Sequence, residues 1–217
     1  MKIKLSTVVM LIATTAVSYG YTTATDNLLT ADPSETPVLD NTGSAIALGA
    51  GSVAVGYFGS FTDGEVTGAS DFAALLADFQ QFGTSSASGF QNLFNAAGFF
   101  SLSTDASIPA GGNAFTGNNV YTVIGDAATL AGSSFLAVWK GSAVFGEENG
   151  IGQGSVSSSV TPGSGSLLLG SDGGATSVLG TTFTNSIQLA AAAAVPEPSS
   201  MFLLGLGAIG FMARRKR

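Results

Sequence analysis

Val120-Tyr121-Thr122-Val123-Ile124 and, after a gap of ten residues, Phe135-Leu136-Ala137-Val138-Trp139-Lys140 read as two β-strands. Each is an apolar run of strand length bounded by glycine or small polar residues. Upstream, Val53, Val55 and Tyr57 alternate with smaller residues from Ser52 to Phe58. Further candidate strands are Phe99-Leu102, Ala143-Phe145, Val156-Val160, Ser166-Leu169 and Thr182-Leu189. In the last, Phe183, Ile187 and Leu189 face one way and Thr184, Ser186 and Gln188 the other. Joints such as Gly111-Gly112-Asn113, Gly163-Ser164-Gly165 and Asp172-Gly173-Gly174 separate the strands. Short strands at this spacing predict a mainly β fold, a single β-sandwich or β-roll domain over residues 44–193.

One short helical insertion interrupts the strands. Phe72, Leu75, Leu76, Phe79 and Phe82 recur at helical spacing, with Ser70 as N-cap and Gly83 past the end. Phe90, Leu93, Phe94 and Ala97 repeat the pattern between Ser88 and Gly98. These stripes are expected to pack in the core. Ahead of the domain, residues 25–43 are polar and punctuated by Pro33 and Pro37, and are expected to form a flexible lead-in.

Charge placement excludes one large class of function. Of the seven Lys and Arg, Lys2 and Lys4 open the chain, Arg214, Arg215, Lys216 and Arg217 close it, and only Lys140 lies between. Against 14 Asp and Glu, a surface this poor in cations does not neutralise phosphates, so nucleic acid is not an expected partner. The chain has no Cys and no His. Disulfides, thiolate chemistry, Ser-His-Asp catalysis and histidine-ligated metals are therefore excluded. No enzyme and no cofactor are expected.

Both ends read as targeting segments. Met1-Lys2-Ile3-Lys4 precedes an apolar stretch from Leu5 to Val17, short of the roughly 20 residues a span needs. Residues 1–24 are expected to be a signal peptide. Small residues at Ala16 and Ser18, at Ser18 and Gly20, and at Thr22 and Ala24 offer alternative sites to signal peptidase. At the other end, Val195-Pro196-Glu197-Pro198-Ser199-Ser200 precedes the apolar stretch Met201–Ala213 and then Arg214-Arg215-Lys216-Arg217. Thirteen residues in helix rise about 20 Å, a marginal transmembrane helix whose terminal cations hold it on the cytoplasmic side. Gly205-Leu206-Gly207-Ala208-Ile209-Gly210 matches the spacing of a dinucleotide fingerprint. It lacks the preceding strand, the βαβ unit and the downstream acid, and is read as part of the apolar segment.

A Pro-Glu-Pro joint, a short apolar helix and a basic cluster, in that order, resemble the PEP-CTERM sorting signal of Gram-negative bacteria, over about residues 194–217. The resemblance implies recognition of Pro196, Glu197 and Pro198 by an exosortase, a membrane-embedded cysteine transpeptidase, with Arg214, Arg215, Lys216 and Arg217 retaining the precursor. It also implies an inner-membrane precursor with its passenger in the periplasm, a mature form at the cell surface or extracellular matrix, and a link to exopolysaccharide and biofilm. Asn119–Ile124 and Ser134–Trp139 are, more loosely, similar to the small domains that precede such tails in Verrucomicrobia-type bacteria. That similarity implies a lineage and no mechanism.

Three constellations inside the passenger have two readings each. Asp63-Gly64-Glu65 with Asp71 offers oxygen donors for Ca²⁺, or a loop of helix-capping acids; the spacing departs from an EF-hand. Trp139 with Tyr121 and Tyr57 offers a sugar-stacking platform, or core packing. Glu147-Glu148 is a carboxylate pair for glycoside hydrolysis, or a solvated turn before Asn149-Gly150. Two functional classes follow: a structural or interaction protein of the surface or matrix, and a carbohydrate-binding module using exposed aromatics. An exposed Trp139 favours the second, a buried one the first.

Overall fold

A computed structural model describes residues 21–27, 35–83, 96–108, 112–148 and 154–192. The signal-peptide core, Phe90, Leu93 and Phe94 of the second expected helix, the Gly205–Gly210 stretch, the Pro-Glu-Pro joint, the Met201–Ala213 segment and the terminal cations lie outside these residues, while Ala97 and Gly98 form a turn. Among the described residues, no helix is long and apolar enough to cross a membrane.

The chain forms β1 (Tyr21–Asp26), β2 (Val38–Leu39), β3 (Ser52–Phe58), α1 (Asp63–Thr67), α2 (Phe72–Asp78), β4 (Phe79–Gln81), β5 (Ser101–Ala106), β6 (Asn119–Gly125) and β7 (Phe135–Val144). There follow β8 (Gly154–Ser159), β9 (Gly165–Leu169), β10 (Ser171–Asp172), β11 (Thr176–Val178), β12 (Thr181–Phe183), β13 (Ile187–Gln188) and β14 (Ala190–Ala191). The largest sheet runs β14-β7-β6-β3-β4, with β9 also pairing β7. Its central register sets Val55 opposite Thr122 and Thr122 opposite Trp139. A second sheet runs β5-β1-β8.

The expected mainly β class and sandwich are what forms. Side chains alternate across a strand, so each face of the large sheet has its own core. On one face Val53, Val55, Val120, Ile124, Ala137 and Trp139 pack with Tyr21 and Leu102 of the second sheet. On the other, Ala54, Phe58, Tyr121, Val123, Leu136 and Val138 are covered by Val66 of α1 and by Phe72 and Leu75 of α2. Burial on both faces explains why Val120–Ile124 reads as an unbroken apolar run. Thr25 Oγ1 and Thr122 Oγ1, 3.1 Å apart, bridge the two sheets through the first core.

Several elements differ from the sequence reading. The Phe72–Phe82 pattern is helical only to Asp78, and its N-cap is Asp71, whose carboxylate accepts from Ala73 N and Ala74 N at 2.9 and 3.1 Å. Phe79 then enters β4, which pairs with β3. Phe79 joins the outer core and Phe82 the inner one, which residues three apart on one helix face cannot do. The expected break between Phe135–Lys140 and Ala143–Phe145 does not occur, and β7 runs through Gly141. Glycine is needed there because a Cβ would stand 2.3 Å from Ser158 Oγ of the opposing sheet.

The lead-in expected at 25–43 is built into the domain wherever it is described. β1 is the middle strand of its sheet, antiparallel to β5 and parallel to β8. Asn27 is buried; its Nδ2 donates to Thr36 O and Gly98 O at 2.9 Å each, and its Oδ1 accepts from Phe100 N at 2.7 Å. Val38 and Leu39 are buried as well. Polar composition misleads here because Thr25, Asn27 and Thr36 are buried rather than solvated.

Candidate functional site

Asp63, Glu65 and Asp71 are committed to structure. Thr62 caps α1 in a reciprocal capping box with Glu65, whose Oε2 accepts from Thr62 N at 2.7 Å. Hydrogen bonds from Thr62 hold the Glu65 carboxyl below its ordinary range. Asp71 caps α2. Asp63 accepts from Lys140 Nζ at 2.7 Å and from Tyr121 Oη at 2.8 Å. The structure thus gives Asp63, Glu65 and Asp71 three separate jobs, and does not bring them together on one ion. Among the described residues, no group of three or more His, Cys, Asp or Glu side chains is placed to hold a metal.

Lys140, the only cation between the two chain ends, pins α1 to the outer face of the large sheet and also lies 5.9 Å from the Tyr121 ring centroid. Its hydrogen bond lowers the Asp63 carboxyl, with Tyr121 adding to the effect. Burial, reinforced by Asp63, pushes the Tyr121 hydroxyl up. Because the folded Asp63 value is lowered, its contribution is present above the unfolded value of about 4. It is lost as pH falls through the lower folded value. With the Asp63 side chain 45% exposed, the effect belongs to the surface-pair range of about 0–1 kcal/mol. Asp63→Asn is expected to lower stability by that amount at pH 7 and to match the parent near pH 2 (roughly two units below the unfolded value). Urea titrations at both pH values check this.

The aromatic platform does not form. Trp139 and Tyr121 are 6% and 8% exposed. In the β6–β7 register Tyr121 sits opposite Lys140, and Trp139 opposite Thr122. Neighbouring positions on a strand point to opposite faces, so the two rings lie in different cores. Tyr57 is half-buried, edge-on to Phe115 at 5.0 Å between ring centroids. Of the two classes, the buried tryptophan favours the structural or interaction protein. Glu148 is not a solvated turn residue either: its Oε1 accepts from Ile108 N at 2.9 Å, and its backbone N donates to Ile108 O. Glu147 is exposed.

Sequence reasoning missed a cleft where the large sheet meets the short β10-β13-β2 sheet. It encloses about 220 Å³, and Trp139, Thr36, Leu167 and Ile187 line it, with Asp172 and Asn185. Of these, the sequence marks only Trp139. The others fall on different short strands and loops, so no spacing in the sequence marks them.

The described passenger is mainly β, with Glu65 and Asp71 in helix caps and Asp63 in an ion pair. Residues 194–217 match the family described as the PEP-CTERM protein-sorting motif. The chain therefore carries a PEP-CTERM sorting motif, which implies export, exosortase sorting and a cell-surface destination. No curated protein and no solved structure matches the chain.

Proposed function

We propose that the passenger acts, without catalysis, as a structural or interaction component of the cell surface or extracellular matrix, linked to exopolysaccharide or biofilm. The observation that carries this reading is the sorting motif at 194–217, on a passenger whose Asp63, Glu65 and Asp71 are occupied by Lys140 and by helix caps. In this reading signal peptidase acts first, and the precursor waits in the inner membrane with its passenger in the periplasm until the exosortase acts. Fractionation of a biofilm-forming culture tests it. The processed chain should be found with surface and matrix polysaccharide; recovery confined to the periplasm contradicts the proposal.

The fold also restricts the first processing step. Cleavage after Ala24 would remove Tyr21–Ala24 from the middle strand of the β5-β1-β8 sheet, including the buried Tyr21 and Thr23. Cleavage after Ser18 or Gly20 leaves β1 whole. The mature N-terminus is therefore expected at Tyr21 or up to two residues earlier (a bound set by Ser18 and Gly20), and N-terminal sequencing of the exported form reads it directly. A start at Thr25 would contradict the placement of β1.

A further inference from the structure

The hairpin formed by β11 and β12 ends in a turn whose first residue does not suit it. Leu179 and Gly180 alone link Val178 to Thr181, with φ of +50° and +80°. Positive φ at both positions is the geometry of a type I′ turn, which Asn-Gly fills at least cost. A bulky side chain is an outlier there, and Leu179 is the only non-glycine with positive φ among the described residues. It is also 75% exposed, the highest value among their large apolar side chains. An exposed leucine alone would signify little. One that also strains the backbone, and packs against almost nothing in its own chain, calls for a contact outside it.

The other end of the same hairpin carries a cleft that suits an aliphatic side chain. Below the tip the ladder continues from Gly173 N to Ser186 O at 2.9 Å and then through the β10–β13 pair. Asp172 and Asn185, one on each arm, stand at the cleft beside Trp139. Pro162, Leu167, Ile187 and the Trp139 ring supply its apolar wall. An apolar cavity of roughly 150 Å³ admits a benzene ring, so about 220 Å³ has room for one leucine side chain. Leu179 does not fill its own cleft. Asn185 lies roughly 15 Å further down the strand, and a side chain this exposed sits in no pocket of its own chain.

Charge and symmetry select the occupant. With a net charge of -7, two copies repel each other except through neutral surface. Residues 173–186 contain no charged side chain. Ser177 and Thr182, opposite each other in register, are the exposed pair of the hairpin. Because the leucine and the cleft lie at the two ends of one element, two hairpins laid antiparallel put each tip at the other's foot. Such a contact is isologous and closes at two copies. We propose that Leu179 of one copy enters the cleft beside Trp139 of a second copy, and the reverse, in a two-fold dimer built on antiparallel hairpins. The contact area is small, which places the dimer among weak interfaces with a micromolar Kd.

The chain has no Cys, so introduced thiols report on this contact without background. In cells exporting the full chain, the double variant Leu179→Cys, Asn185→Cys should form a disulfide-linked dimer on non-reducing gels. Neither single variant should, because like positions lie at opposite ends of the paired hairpins. A bond within one chain does not compete, since a disulfide needs its Cα atoms within roughly 7 Å. Leu179→Asn separates contact from fold. Sedimentation of the exported chain should show its dimer Kd raised about ten-fold or more, while its melting temperature matches or exceeds the parent's because Asn suits the turn. The proposal is overturned if the parent stays monomeric up to about 1 mM, if Leu179→Asn associates as the parent does, or if the double variant crosslinks no better than the single ones. A monomeric chain that still fractionates with matrix polysaccharide would refute this pairing and leave the proposed function standing.

Discussion

Cells producing the Glu197→Ala chain are expected to accumulate it unprocessed in the inner membrane, with release to the surface reduced to background. Prolines at 196 and 198 each fix φ, remove a backbone donor, and push the preceding residue away from helical geometry. Val195 and Glu197 are thus disfavoured from continuing any helix from Met201. Glu197 is also the only acidic side chain after Asp172, so one substitution removes the only negatively charged side chain from the tail. The fold should not respond, because the described elements end with β14 at Ala191. Far-UV circular dichroism and the melting temperature should match the parent. Met201–Ala213 and the four cations after it remain, and they are expected to hold the uncut precursor at the membrane. A normal export rate for the Ala form, with its tail removed, would show that the joint is not what the enzyme reads.

The largest stability effect is expected from Phe82→Ala. Phe82 is 1% exposed and meets Tyr21 at 6.0 Å, Phe115 at 5.1 Å and Phe145 at 5.3 Å between ring centroids, the first two edge-on. Tyr21 belongs to the small sheet, while Phe82 follows β4 of the large one and donates its backbone N–H to Val55 O at 2.7 Å. The ring therefore couples the two sheets. Emptying such a site costs about 3–5 kcal/mol through lost transfer energy and the cavity left behind. Three aromatic contacts add to that loss. For a chain of this size the melting temperature should fall on the order of 10 °C. Gln81→Ala, one residue away and only half-buried, should stay within about 0.5 kcal/mol. Urea titration of both variants decides it; a Phe82→Ala loss below about 1 kcal/mol would mean that the inter-sheet core does not carry the fold.

Some of this was legible in the sequence. Val120–Ile124 and Phe135–Lys140 are long, apolar and bounded by small residues, and both lie in the central strands of the large sheet. The capping acids also carry a local signal, since Thr62 and Glu65 stand three residues apart as a capping box requires. Without an apolar run beside it, α1 still went unread. Where the reading failed, the deciding force was tertiary. Thr23, Thr25 and Asn27 look like surface residues, yet β1 is buried because another sheet lies above it. Phe79 and Phe82 fit a helix by spacing, but pairing with β3 overrides that pattern. Trp139 and Tyr121 fall on neighbouring strands, and only the register shows that their rings point to opposite faces. The tail is legible for the opposite reason: its recognition depends on a short ordered sequence and needs no partner from elsewhere in the chain.

Intact-mass measurement of the chain recovered from outside the cell tests the central claim most directly. The expected species has lost the segment beginning near Pro196, and with it Met201–Ala213 and all four terminal cations. An extracellular protein that still ends at Arg217 would contradict sorting by an exosortase.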